Sequence, residues 1–238
     1  MLQTLFPSWV YSFDCTSLSE YSSIDHELNQ YIDVTHFDYL PWFGKTHKLS
    51  CKSFHIDDAH LFQDCPLFKK LIKSQLEKYL QEVHGPKKAQ TINTNLIQFG
   101  SSWATRFDEG DYGHQHQHVP DEISCVYYHK VPANITDDSH PKYYSNNGYL
   151  YFVSPLVGHY YSPLVSPQKR VFVRPEVGRL LLFPSYLEHG VSPCPPMDGP
   201  RISISGNMSL NSAIYKQTID AQEEKSRKEN TTSKVHSP

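Results

Sequence analysis

The sequence predicts a mainly β protein, a two-sheet jelly roll preceded by N-terminal helices. Three observations lead there. From about residue 90 onward, short β-branched or aromatic runs alternate with clusters of Gly, Pro, Asn and Asp, with no helical pattern between them. Eight such runs packed so closely favour a jelly roll over a sandwich of simple hairpins. The chain's 17 Pro and 16 Tyr among 238 residues fit a β-rich, loop-rich architecture, and the one clear amphipathic helix falls before this region.

The elements follow in order. Residues 17–31 read as a loose helix or turn region, with Leu18, Ile24 and Leu28 at helical spacing. A firm helix runs from about Asp64 to Val83. Pro66 sits in its first turn, where a missing N–H does no harm, and Gly85-Pro86 stops it. Its apolar positions (Leu67, Phe68, Leu71, Ile72, Leu76, Tyr79) form one face. Strands are expected near 91–98, 102–107, 114–118, 123–130, 149–153, 170–174, 179–183 and 201–209. Residues 132–148 and 154–169 are long connections, the kind that carry binding surfaces. The expected organisation is one domain over 1–215, with helical support at 17–86 and a β core at 90–210. Residues 216–238 form a polar tail expected to be disordered or weakly helical.

Composition narrows the function. A net charge of -3 with no basic stripe argues against nucleic acid. No run approaches the ~18 apolar residues of a membrane helix, so a soluble protein is expected, with no membrane partner. The N-terminus lacks the charged and apolar regions of a signal peptide. Five scattered cysteines without a C-x-x-C fit a reducing cytoplasm, and all five are expected to be structural thiols. There is no G-x-G-x-x-G, no G-K-[ST] loop and no G-x-S-x-G elbow, which removes nucleotide folds and serine hydrolysis.

The 14 histidines raise the question of metal. The densest signal is Gly110-Asp-Tyr-Gly-His114-Gln-His116-Gln-His118. On an extended strand, residues two apart share a face, so His116 and His118 can converge on one ion. Parity equally allows His114 with His116. His114 and His118 are roughly 13 Å apart on such a strand, too far to serve together. An isolated H-x-H is more often an exposed polar strand.

Two further segments add weight. Gly178-Arg-Leu-Leu-Leu-Phe-Pro-Ser-Tyr-Leu-Glu-His189 reads as an apolar strand ending at Phe183-Pro184, then a short turn presenting His189. In Arg201-Ile-Ser-Ile-Ser-Gly-Asn207, Ile202 and Ile204 face one way while Arg201, Ser203 and Ser205 face the other. An inward Arg beside a Ser makes a carboxylate clamp, because guanidinium matches a carboxylate bidentately.

Together these residues resemble the iron(II)/2-oxoglutarate-dependent dioxygenases, whose signature is H-x-[DEH], a distal His and an R-x-S. More narrowly, Gly110-Asp-Tyr, His116-x-His118, Ser124-x-Val-Tyr-Tyr128, Gly148-x-Leu-x-Phe152, Gly178-x-Leu-x-Leu-Phe-Pro-Ser-x-Leu-x-His189 and Arg201-Ile-Ser-Ile-Ser-x-Asn207 are similar to a subfamily of marine bacteria and their phages that carries H-x-H. The resemblance spans Leu5 to about Leu210, and its offset to Ser124 favours His116/His118 over the pair one step earlier. Cys125 where the subfamily has Gly, Val119-Pro120 in place of a Pro-Gly turn, and Ser154-Pro155 in place of Asp-Pro-Arg are departures that bear on the substrate.

The resemblance implies a double-stranded β-helix (jelly roll, cupin-like) and an enzyme that converts 2-oxoglutarate (2OG) and O₂ to succinate and CO₂ while hydroxylating a substrate. His116, His118 and His189 would bind Fe(II), and Arg201, Ser203 and Tyr128 would hold 2OG. With His118 in place of the usual carboxylate, the site keeps the full +2 charge and loses some discrimination against Zn²⁺ and Cu²⁺. Asp111, Asp121 and Glu122 are local carboxylates, but none sits at the i+2 offset. Competing readings are a three-His zinc hydratase or hydrolase and a non-catalytic cupin-like binding module. Tyr143, Tyr144, Tyr149, Tyr151, Tyr160 and Tyr161 suggest an aromatic mouth for a peptide or small-molecule substrate. Trp9, Trp42 and Trp103 read as core. A homodimer is compatible with the sequence.

Overall fold

Helix α1 (Tyr21–Val34) and helix α3 (Pro66–His84) form a layer behind the β core. In α1, Ile24, Leu28 and Ile32 recur every fourth residue and are all buried. In α3 the predicted apolar face is the buried one, apart from Leu67, which is 43% exposed. Pro66 opens the helix, and Gly85, at φ 76°, closes it with its N–H donating to Gln81 O. The Glu27 carboxylate of α1 accepts the N–H groups of Leu67 and Phe68 at 3.1 and 2.9 Å. It thereby satisfies two of the donors that a helix start leaves open and ties the two helices together. The computed structural model describes residues 8–39, 45–50, 61–89, 92–136, 146–154 and 169–210. The predicted tail at 216–238 lies outside the described residues, as do Trp42, Cys51 and parts of both long connections.

Two antiparallel sheets make the jelly roll. The larger runs β1-β9-β6-β11-β4-β3-β2, built from β1 (Tyr11–Asp14), β2 (Asp38–Tyr39), β3 (Lys48–Leu49), β4 (Ile97–Phe107), β6 (Ile123–Lys130), β9 (Arg179–Pro184) and β11 (Arg201–Leu210). The smaller runs β5-β10-β7-β8, built from β5 (Gly113–His116), β7 (Leu150–Val153), β8 (Arg170–Val173) and β10 (His189–Val191). Short helices α2 (Leu61–Asp64) and α4 (Pro86–Ala89) flank α3.

Period-2 alternation sorts the central strands into two cores. Ile202, Ile204 and Met208 of β11, with Cys125 and Tyr127 of β6, pack with Leu28, Ile72 and Leu76 from the helices. Val126 and Tyr128 of β6 join Leu150, Phe152, Leu181 and Phe183 between the sheets. Burying each such aliphatic side chain contributes about 1.5–3 kcal/mol, so the helices stabilise the sheet that carries Arg201 and Ser203.

The strand boundaries differ from expectation in four places. Residues 91–98 and 102–107 are not two strands: β4 is continuous from Ile97, and its pairing with β11 runs from Arg201↔Phe107 to Leu210↔Ile97. Gly100, in the gap between the two expected strands, sits inside β4 opposite the β11 backbone. The predicted strand 114–118 ends at His116, leaving His118 beyond it. The expected turn after Pro184 does present His189, but His189 opens a further strand, β10, that the sequence did not suggest. Strands β1, β2 and β3 have two to four residues each, too few to show a period.

Candidate metal and 2-oxoglutarate site

Histidines 116, 118 and 189 converge. One nitrogen from each lies within 4.8 Å of the others. Two are brought together by strand pairing, since His189 of β10 stands directly opposite His116 of β5. His118 reaches the cluster from the turn after β5. Its N–H donates to Ser185 O at 3.0 Å, and its ring lies 5.6 Å from Trp103. The three rings grade from exposed His116 through half-buried His118 to buried His189, so the cluster opens on one side.

The ring protons can be assigned. His116 Nδ1 is 2.7 Å from His114 O and His189 Nδ1 is 2.8 Å from Leu187 O. A carbonyl only accepts, so both Nδ1 atoms carry the proton. All three histidines are held neutral by burial, with neighbouring imidazoles adding to the effect. His118 is pushed down to about 2 and His189 to about 3, and His116 is also lowered. His116 and His189 therefore offer Nε2 lone pairs, the form a divalent metal needs, and their Nδ1–H bonds fix the ring orientations.

Behind the histidines lies a cavity of about 200 Å³, lined by Trp103, Thr105, Phe107, Val126, Arg201 and Ser203 among others. Arg201 is 0% exposed and is sandwiched between the rings of Phe107 and Tyr128, 4.7 and 5.1 Å from their centroids. Its Nε and Nη1, and the Tyr128 hydroxyl, are buried without a hydrogen-bond partner among the described residues. Burial raises the Tyr128 pKa against the opposing pull of Arg201, so the hydroxyl stays a donor. An unanswered buried guanidinium is costly, and a small anion on the cavity side answers it. The residues present thus fit both a divalent metal and a dicarboxylate.

The other predicted residues take different roles. His114 lines the cavity, but its ring packs edge-on against Tyr112 at 5.0 Å, and it is not in the cluster. Asp111 is buried and accepts Asp108 N–H, and Asp121 accepts from Ser209 Oγ. Neither they nor Glu122 joins the cluster. Tyr149 and Tyr151 are buried and do not line the cavity; Tyr151 lies under Arg170 at 4.5 Å. The aromatic mouth therefore gains no support from these two. The other four tyrosines lie outside the described residues. Trp9, expected in the core, is 53% exposed.

Sequence reasoning reads Trp103 as core and passes over Thr105 and Phe107, yet all three line the cavity. They alternate along β4 directly beside Ser205, Ser203 and Arg201, and parity would have found them once β4 was read as continuous. Leu49 of β3 and His47 just before it also line the cavity, brought there by the pairing of β3 with β4. His47 stacks on Phe107 at 5.3 Å, and nothing local in the sequence marks it.

The two-sheet jelly roll thus carries three clustered histidines at its mouth and a buried arginine at its base. Residues 101–207 match the family described as "Putative 2OG-Fe(II) oxygenase", and this stretch holds the three histidines, Tyr128, Arg201 and Ser203. No curated protein sequence matches the chain. Among solved structures it is similar to HygX from Streptomyces hygroscopicus with nickel, 2-oxoglutarate and hygromycin B bound (TM-score 0.55, 9% identity, 86% of this chain and 84% of that one). It is also similar to a Pseudomonas putida prolyl-4-hydroxylase (TM-score 0.50, 13% identity, 85% and 92%) and to a 2OG-Fe(II) oxygenase family oxidoreductase from Burkholderia pseudomallei (TM-score 0.51, 10% identity, 85% and 84%). At these identities the likeness is one of fold.

Proposed function

We propose that this chain is an Fe(II)- and 2OG-dependent dioxygenase acting as a hydroxylase, with His116, His118 and His189 as the metal ligands. The observation that carries the reading is the pairing of two features in one cavity, a neutral three-histidine cluster and a buried Arg201 with no counter-charge among the described residues. Bound Fe(II), with 2OG and O₂, supplies an oxidative decarboxylation that yields succinate and CO₂ and oxidises a substrate C–H bond. The protein's own part is positioning. His114 O and Leu187 O hold two ligand rings in their metal-binding tautomer. Arg201 and Tyr128 present N–H and O–H donors to the distal carboxylate of 2OG, with Ser203 beside them on the same face of β11. The walls of Val126, Leu150 and Val191 exclude water around the carbon chain. HygX, of the same fold, has nickel and 2OG bound.

Three imidazoles would also suit a zinc hydratase, but that chemistry leaves Arg201 without a task. The four described cysteines are buried free thiols, which supports a reducing, cytoplasmic setting, and among the described residues no helix is long and apolar enough to cross a membrane. The test is an uncoupled assay: 2OG, Fe(II) and O₂ should give succinate. Bicarbonate or ester turnover on zinc, with no succinate, would overturn the reading.

A further inference from the structure

Three polar residues of the sequence motifs have no part in holding metal or 2OG as described above. These are Ser124 at the head of β6, Ser185 just after β9, and Asn207 near the end of β11. They are distant in sequence yet meet in one buried cluster, at 1%, 0% and 5% exposure. Ser124 Oγ donates to Asn207 Oδ1 at 2.9 Å, and Asn207 Nδ2 donates to Ser101 Oγ at 3.2 Å. Since the single Ser124 proton is spent on Asn207, the 2.8 Å contact between Ser185 Oγ and Ser124 Oγ has Ser185 as donor. The direction of the whole chain is therefore set: Ser185 to Ser124 to Asn207 to Ser101.

The far end of that chain is the metal loop. Ser185 O accepts the His118 N–H at 3.0 Å, and Ser185 N donates to Glu122 O at 2.9 Å. Four residues on, the same turn delivers His189. His118 lies outside β5, so no strand ladder holds it. Besides a local turn bond from Asp121 N to its carbonyl, its backbone is held by this bond to Ser185, whose side chain is anchored through Ser124 and Asn207 to the inner face of the large sheet. Register supports the same geometry: Asn207 stands opposite Ser124, and Ser124 opposite Phe183. A hydroxyl in this place costs desolvation unless fully bonded, and here each hydroxyl is bonded.

We propose that Ser124, Ser185 and Asn207 are positioning residues for the metal centre, a buried relay that sets the place of His118 against His189. The proposal rests on the three-histidine site above. Partners behind metal ligands typically carry about 10- to 100-fold in metal affinity.

The test is titration of the intact chain with Ni(II), alongside the visible spectrum of its Co(II) form. Ser124→Ala and Ser185→Ala should each raise the Ni(II) Kd about tenfold or more and shift the Co(II) bands. Because both act through one relay, the double variant should be hardly worse than either single. Ser102→Ala is the control. Ser102 is equally buried and accepts Phe62 N–H at 2.8 Å, but on the helix-facing side of the same sheet. It should lower the melting temperature and leave the Ni(II) Kd within about twofold. Folded Ser124→Ala with wild-type Kd and spectrum overturns the relay, as does an equal loss in Ser102→Ala. Should Ser185→Ala fail to fold, Ser124→Ala decides alone. Wild-type protein that binds no Ni(II) sinks the metal site itself, and the relay with it. Wild-type binding that His189→Ala abolishes and Ser124→Ala leaves intact sinks only the relay.

Discussion

The Nε2 atoms of His116 and His118 lie 3.2 Å apart, and His116 Nε2 carries a lone pair because its other nitrogen donates to His114 O. Two neutral imidazoles held this close, His116 on β5 and His118 through its backbone bond to Ser185, are poised for a shared cation, whose charge replaces their weak mutual contact. Stoichiometric Fe(II) binding in anaerobic titration should therefore be lost in His118→Ala and in His189→Ala. His114→Ala should bind nearly as wild type. Weak binding in that variant would mean the ligand pair lies one step earlier on β5.

Arg201 provides the second expectation. Its guanidinium is fully buried between two aromatic rings, with two nitrogens unpaired among the described residues. Removing a buried bidentate contact costs on the order of 2–5 kcal/mol, so Arg201→Ala should raise the KM for 2OG roughly tens- to thousands-fold. Tyr128→Phe removes a single hydroxyl donor and should cost about 1 kcal/mol, a KM rise of about fivefold. Succinate release measured against 2OG concentration separates these values. An unchanged KM in Arg201→Ala would remove the clamp from the proposal.

Much of this arrangement was legible because side-chain parity on a strand is a rigid rule. Arg201, Ser203 and Ser205 on one face of β11 and Ile202 and Ile204 on the other are found as the alternation predicts. His118 shows the limit of the same rule. It was paired with His116 by strand parity, but it lies past the end of β5 and reaches the cluster through its bond to Ser185. The residues agree with expectation while the reason differs. His47 was invisible because its place depends on a two-residue strand pairing with β4, and no local period can mark so short an element. Trp103 reads as core; at 6% exposure it is buried, but against the ring of His118.

Cys125 packs in the helix-facing core at 1% exposure, and burial pushes its thiol up to about 12. A thiol so buried and so weakly acidic is neither nucleophile nor metal ligand. Cys125→Ala should retain succinate formation at near wild-type kcat while losing about 1–2 kcal/mol of stability in urea unfolding, the usual cost of a small core truncation. A folded variant without turnover would give Cys125 a chemical role.

The last expectation concerns acid. His129 of β6 faces α1, where its Nε2–H donates to Asn29 Oδ1 at 3.1 Å, and its Nδ1 lies 3.5 Å from Asp25 Oδ1. Burial lowers its pKa to about 4, and the nearby Asp25 carboxylate offsets this only in part. An unfolded chain would titrate it near 6.5. The folded pKa is the lower one, so the unfolded state takes up the proton first as pH falls. Stability is fully present above about 6.5 and is lost toward about 4, at up to about 1.4 kcal/mol per pH unit for this one residue. His47, also lowered to about 4, acts in the same direction. Urea unfolding of metal-free protein between pH 7.5 and 5 should show this loss. His129→Asn should be less stable than wild type at pH 7.5 and should lose visibly less on acidification, so that the two curves converge. Parallel curves would mean that His129 already binds its proton in the folded state through Asp25, and the acid sensitivity would then belong to the other buried histidines.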